Sequence, residues 1–139
     1  MITGINHLTL SVRNLAESFV FYTEVLGFTP MAKWAGGAYL RAGETWIALI
    51  VDPEVRGGPL PEYSHIAFHI SLEDFPDLSR RIILSGVEIW QSNHSEGASL
   101  YFCDPNGHKL ELHTSNLPRR LTAAQNDDWE GLEVYHSRD

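Results

Sequence analysis

Tyr101-Phe102-Cys103-Asp104-Pro105-Asn106-Gly107-His108-Lys109-Leu110-Glu111-Leu112-His113 is the stretch on which the reading of the fold turns. Asp-Pro-Asn-Gly is turn chemistry, because proline presets φ and Asn-Gly accepts positive φ at little cost. Apolar and polar residues alternate on both sides, so the segment reads as a β-hairpin. In its second strand Leu110 and Leu112 point one way, and Lys109, Glu111 and His113 point the other. An unpaired carboxylate on a sheet's inner face is costly. Either that face is wet, or Glu111 meets a cation, a metal or a catalytic proton there.

Working outward, the hairpin closes a longer pattern. Tyr63 to Ile70 is a strand with His65, Ala67 and His69 on one face. Ser71 and Asp74 start a helix whose apolar stripe is Phe75, Leu78 and Ile82, and Gly86 ends it. Strands near Val87 to Gln91, Ser99 to Cys103 and His108 to His113 complete a β-α-β-β-β unit. The same order occupies the first half of the chain. Ile5 to Val12 alternates with period two, with His7, Thr9 and Ser11 on one face. Asn14 and Glu17 form a helix-start pair ahead of Leu15, Phe19, Tyr22 and Leu26, and Gly27 supplies the stop. Strands over Phe28 to Trp34, Ala38 to Arg41 and Thr45 to Val51 follow. Asp52 to Glu62, rich in proline, glycine and charge, links the halves.

The chain is therefore an internal duplication, about 4–51 and 63–113, of the α+β class. It forms one domain over 1–121, with 122–139 as a C-terminal tail. Overlaying the units sets His7 against His65, Gly43 against Gly107, and Glu111 against the apolar Ile47. At 139 residues, 43% hydrophobic and 20% charged, the sequence is ordinary for a globular domain. The net charge of -8 argues against nucleic acid and anionic membrane as partners. Met1 to Val12 is too short and polar for a signal peptide, and the single cysteine, Cys103, has no partner for an internal disulfide. A cytoplasmic setting is expected.

A lone histidine on a strand is usually a surface or hydrogen-bonded residue. Two at equivalent positions of a repeat, with an inward glutamate, form a set suited to a divalent metal. Neutral imidazole and carboxylate bind Mn, Fe, Co, Ni or Zn, and three protein ligands leave room for substrate and water. His7, His65 and Glu111 are the candidate ligands. His69 and His113 share the inward faces, either to orient those ligands or as polar filling.

Gly4 to Val12, Tyr63-Ser64-His65, Ser95-Glu96-Gly97-Ala98-Ser99, Tyr101-Phe102 and Asp104 to His113 together resemble the fosfomycin resistance thiol transferases. These belong to the vicinal oxygen chelate (glyoxalase/bleomycin resistance) superfamily. The resemblance spans nearly the whole chain and fades after about Leu121. It implies a Mn(II) enzyme that opens the epoxide of fosfomycin with glutathione, with His7, His65 and Glu111 as metal ligands. It places the phosphonate and oxirane contacts on Thr9, Ser95, Ser99, Tyr101 and Arg120, of which Thr9, Tyr101 and Arg120 are the catalytic candidates. Trp46 and Tyr63 would line the pocket, and Trp34 and Tyr39 would flank the thiol channel. Potassium would sit in the loop of Asn93, Ser95, Glu96, Gly97 and Ser99. The implied assembly is a homodimer with exchanged modules, one subunit supplying His7 and the other His65 and Glu111.

The sequence departs from that family at two positions. The substrate-contacting position 91 is usually lysine and is Gln91 here, and an arginine is replaced by His94. A charge-assisted contact contributes about 1.5–3 kcal/mol, so anion binding is weakened. The hydrolytic branch of the family uses a glutamate base near the third strand, and Gly36 to Leu40 contains no carboxylate. The alternatives are a ring-cleaving dioxygenase or an epoxide hydrolase built on the same site, and a drug-binding protein of the same fold.

Overall fold

A computed structural model of the chain describes residues 1–136. The first unit contains β1 (His7–Val12), α1 (Leu15–Val20), β2 (Thr29–Trp34), β3 (Gly37–Ala42) and β4 (Thr45–Val51). The second contains β5 (Ile66–His69), α2 (Phe75–Leu84), β6 (Ile89–Gln91), β7 (Ser99–Cys103) and β8 (Lys109–His113), and α3 (Leu117–Asn126) follows. The sheets have orders β1-β4-β3-β2 and β5-β8-β7-β6. In each, the first strand runs parallel to the last and the other pairings are antiparallel. The duplication read from the sequence is thus a duplication of topology. The boundary expected at 121 falls within α3.

Local chemistry accounts for the elements. Asn14 caps α1 by accepting from the backbone N–H of Glu17 at 3.1 Å. Residues Phe21–Val25 continue α1 as a π-helical turn, which the sequence pattern did not distinguish from an ordinary helix. Ser71 Oγ accepts from the N–H of Asp74 ahead of α2, and Pro76 occupies its first turn, where a missing N–H costs nothing.

The two units share one hydrophobic core, which includes Val12, Tyr22, Leu40, Ile47 and Leu49 from the first and Ile82, Phe102 and Leu110 from the second. Buried polar groups knit them further. Tyr22 donates to Asp104 Oδ2 at 2.6 Å, and Asp104 Oδ1 accepts from the N–H groups of Asn106 (2.8 Å) and His108 (2.9 Å). Asn106 donates to Ser18 Oγ and accepts from the N–H of Arg13, both at 3.0 Å. The Asp-Pro-Asn-Gly turn is therefore a hinge pin between the units as well as a hairpin turn. Gly107 has φ +84°, and a Cβ there would lie 2.5 Å from Gly58 C, so the linker closes over it.

Because the core consumes one face of each sheet, the opposite faces are left for other work. Leu10 and Val12 are buried while His7 and Thr9 are exposed, as strand parity requires.

Candidate metal and substrate site

Glu111 sits at the centre of β8 and is only 5% exposed, between the core residues Leu110 and Leu112. Parity sends it to the face away from the core, where it pairs in register with Ala67 of β5 and Tyr101 of β7. His65 immediately precedes β5, and its Nε2 lies 2.9 Å from Glu111 Oε1. Its Nδ1 is 2.8 Å from the Tyr63 carbonyl oxygen, which can only accept. The Nδ1 proton is thereby committed to the backbone, and Nε2 is the nitrogen turned to the carboxylate. A metal-ligating histidine is held in this way, by its second ring nitrogen, so the donor set fits a divalent cation.

An aromatic collar surrounds His65. Ring centroids of Tyr63, Trp90 and Tyr101 lie 5.1, 5.1 and 5.9 Å from it. Trp90 is locked by its indole N–H, which is shared between the carbonyls of Phe102 and Leu110 at 3.1 Å each. No sequence signal pointed to Trp90, because β6 carries a register shift between Ile89 and Gln91 that breaks the alternation.

A cleft of about 430 Å³ opens above this pair, lined among others by Gln91, His94, Ser95, His113 and Arg120. Gln91 donates to the Tyr63 hydroxyl at 3.1 Å, and His94 Nε2 lies 2.8 Å from Ser92 Oγ. Among the described residues lining the cleft, Arg120 is the one fixed cation. Its guanidinium meets Glu96 Oε2 (3.5 Å), the Glu96 carbonyl (3.4 Å), Ser95 Oγ (3.5 Å) and His113 Nε2 (3.3 Å). Ser115 donates to the Glu96 carboxylate. That hydrogen bond, with a smaller contribution from Arg120, holds the Glu96 carboxyl below its ordinary pKa against the opposing effect of desolvation. Within the same loop, Asn93 Oδ1 accepts from the backbone and hydroxyl of Ser95, and its amide donates to the Gly97 carbonyl. A larger groove of about 1100 Å³ runs past Leu8, Phe28, Ile66, Phe68 and Leu112. It shares His65 and Ala67 with the cleft, but Glu111, Ser95 and Arg120 line only the smaller space.

The other sequence-predicted residues gather on the first sheet. His7 stacks on Trp46 with ring centroids 4.2 Å apart, and its Nδ1 lies 2.7 Å from Asn6 Oδ1. Tyr39 meets Trp46 at 5.1 Å and Trp34 at 4.8 Å, each edge to face. Thr9 lies on the same exposed face as His7. Among the described residues no group of three histidine, cysteine, aspartate or glutamate side chains forms a metal cluster. One chain thus presents two half-sets, His7 with the indole–phenol row and His65 with Glu111.

One detail of the overlay is corrected by the register. His7, Leu8 and Thr9 stand opposite Trp46, Ile47 and Ala48, while Ile66 and Ala67 stand opposite Leu110 and Glu111. With His65 equivalent to His7, the counterpart of Glu111 is Ala48 rather than Ile47. The turn between β7 and β8 is longer than that between β3 and β4, so aligning Gly43 with Gly107 slips the strands by one. Ile47 belongs to the core and Ala48 to the inner face.

A family model described as the glyoxalase/bleomycin resistance protein/dioxygenase superfamily matches residues 4–112. The chain belongs to this superfamily. Its paired β-α-β-β-β sheets agree with that membership. The chain is 46% identical to glutathione transferase FosA of Serratia marcescens over 134 residues, covering 95% of each. It is 36% identical to metallothiol transferase FosB of Shouchella clausii, covering 87% of this chain and 86% of that one. Among solved structures, a mutant of the fosfomycin resistance protein FosX of Listeria monocytogenes, complexed with Mn(II) and 1S,2S-dihydroxypropylphosphonic acid, superimposes with a TM-score of 0.77. It shares 27% identity, and 88% of this chain and 99% of that one are covered. In this superfamily member no described helix is long and apolar enough to cross a membrane.

Proposed function

We propose that the protein is a divalent-metal-dependent thiol transferase that opens the epoxide of fosfomycin, with glutathione as thiol and Mn(II) as metal. The observation that carries this is the pairing of His65 Nε2 with Glu111 Oε1 beside a hydroxyl-lined cleft with one arginine. The similarity to FosA and FosB supports the same chemistry. His7 from one protomer and His65 with Glu111 from its partner would complete the metal set in a homodimer. The open face bearing His7, Trp46, Tyr39 and Trp34 is consistent with such an exchange, Trp34 and Tyr39 bordering the thiol's approach. A cation held there supplies Lewis-acid polarisation of the epoxide oxygen.

The chain's own residues account for the rest. Arg120, with the hydroxyls of Ser95 and Tyr101, offers a cation and donors to a tetrahedral oxyanion, which fixes the epoxide carbon for attack, while the Ser99 hydroxyl is engaged by Glu111 and His113. Thr9 would donate to the oxygen that gains charge as the ring opens, and Tyr63 and Trp46 would wall the site. Cys103 is the single cysteine of the sequence and does not serve as the nucleophile. It is buried, and burial, reinforced by Glu88 and Asp104, raises its thiol pKa to about 11. The attacking thiol comes from a cosubstrate. Potassium in this loop would compete with the Arg120 guanidinium for the Glu96 carboxylate, the Glu96 carbonyl and the Ser95 hydroxyl, which already face it.

The test incubates Mn(II)-loaded protein with fosfomycin and glutathione, then with fosfomycin alone, and follows products by mass spectrometry. A glutathione adduct that is lost in Glu111→Ala is the expected result. Diol without thiol would assign the chain the hydrolytic reaction instead, and no product with any divalent metal would refute both.

A further inference from the structure

The proton inventory around Ser99 has one solution. Its Oγ lies 2.7 Å from Glu111 Oε2 and 2.6 Å from His113 Nδ1. A hydroxyl has a single proton, and an ionised carboxylate only accepts. Ser99 therefore donates to Glu111 and must accept from His113, which places a proton on Nδ1. At the far side of the ring, Nε2 is 3.3 Å from Arg120 Nη2, a group with no lone pair to offer. A proton on Nε2 would be set against that guanidinium, so Nε2 presents its lone pair. The four side chains form a one-way donor chain, from Arg120 to His113 to Ser99 to Glu111.

The ring is held where this requires. His113 ends β8 in register with Ser99 on one side and His69 on the other. Gly97, at φ +84°, passes so close that a Cβ would lie 3.2 Å from His113 Cε1 and 2.8 Å from Ser115 Cβ. A larger residue at 97 would press on the imidazole edge. Glu111 in turn is addressed on both oxygens, by Ser99 and by His65.

We propose that His113 is a positioning residue that couples the anion-binding Arg120 to the metal-ligating Glu111, donating from Nδ1 to Ser99 and accepting at Nε2 from the guanidinium. The proposal rests on the reading of the site given above. Its consequence is separability. The Nδ1 side orients the carboxylate and sets metal affinity, while the Nε2 side places the guanidinium and sets anion affinity. A histidine that merely fills space has no such division.

Three full-length variants distinguish these roles. His113→Asn keeps an amide N–H at the Nδ1 position and loses the acceptor at the Nε2 position. His113→Gln does the reverse, and His113→Phe fills the volume with neither. Mn(II) affinity is read from the electron paramagnetic resonance signal of the free ion, and fosfomycin affinity from its perturbation of the bound Mn(II) spectrum. The expected result is a crossed pattern. Gln and Phe weaken Mn(II) binding by about 10- to 100-fold, the usual effect of removing a group that orients a ligand. Asn leaves Mn(II) affinity near that of wild type but weakens fosfomycin about tenfold, a loss of one hydrogen bond to a charged group. Equal losses in Asn and Gln, or none in any variant, overturn the proposal. Wild-type Mn(II) binding that survives Glu111→Ala would sink the metal reading instead. In that event nitrogen-15 NMR of the metal-free protein still decides the tautomer. An Nδ1–H imidazole at His113 is expected, and an Nε2–H form refutes the donor chain.

Discussion

Subunit complementation tests the division of the site most directly. His7 and the His65–Glu111 pair lie on different sheets, each on the face turned away from the shared core. If a site draws His7 from one protomer and His65 with Glu111 from its partner, His7→Ala and Glu111→Ala homodimers are both inactive. After free exchange about half of the dimers are mixed, and each holds one intact site and one site lacking both residues. Recovered activity should therefore approach about a quarter of the wild-type value. The assay mixes the purified variants, promotes exchange by mild dilution or low urea, verifies mixed dimers by native mass spectrometry and measures epoxide opening. Glu111→Gln serves as a second partner variant, because it preserves volume and spares the Ser99 and His65 side chains a cavity. Activity that stays at the level of the single variants, in a sample proven to contain mixed dimers, would refute the shared site.

Tyr22→Phe removes the hydroxyl that donates to Asp104 across the two units, both residues being buried. A loss of about 1.5–3 kcal/mol is expected from the urea midpoint at fixed protein concentration, and an unchanged midpoint would contradict the pinning role of the turn. Gln91→Lys should tighten fosfomycin binding about tenfold, with a gain that shrinks as salt rises, measured by titration of the metal-loaded protein. Cys103 keeps its proton to about pH 11 in the folded chain, well above the ordinary thiol value of 9.0. The unfolded chain therefore releases that proton first, so stability should fall as pH rises from about 9 to about 11. Cys103→Ala should flatten that decline in urea titrations, and the native thiol should resist alkylation at neutral pH.

Much of this protein was legible in its sequence because strand parity is a local property. The period of two assigns His7 and Thr9, His65 and Ala67, and Glu111 and His113 to faces without reference to the rest of the chain. Turn and cap chemistry at Asn14, Gly27, Gly86 and Asn106-Gly107 divided the elements, and their recurring order exposed the duplication. What the pattern left open depends on register and on contacts distant in sequence. A turn of different length slipped the overlay by one, and only the hydrogen-bonded pairing set Glu111 against Ala48. A bulge hid Trp90, whose place beside His65 follows from the carbonyls that hold its indole. Asp104 looked like turn chemistry alone, since its partner Tyr22 lies 82 residues away. His113 was one inward histidine among several until the tertiary structure set it between Ser99 and Arg120. Residue type and period decided which groups face inward, whereas the direction of each proton between them was decided by the fold, because a hydrogen bond's sense depends on every neighbour at once.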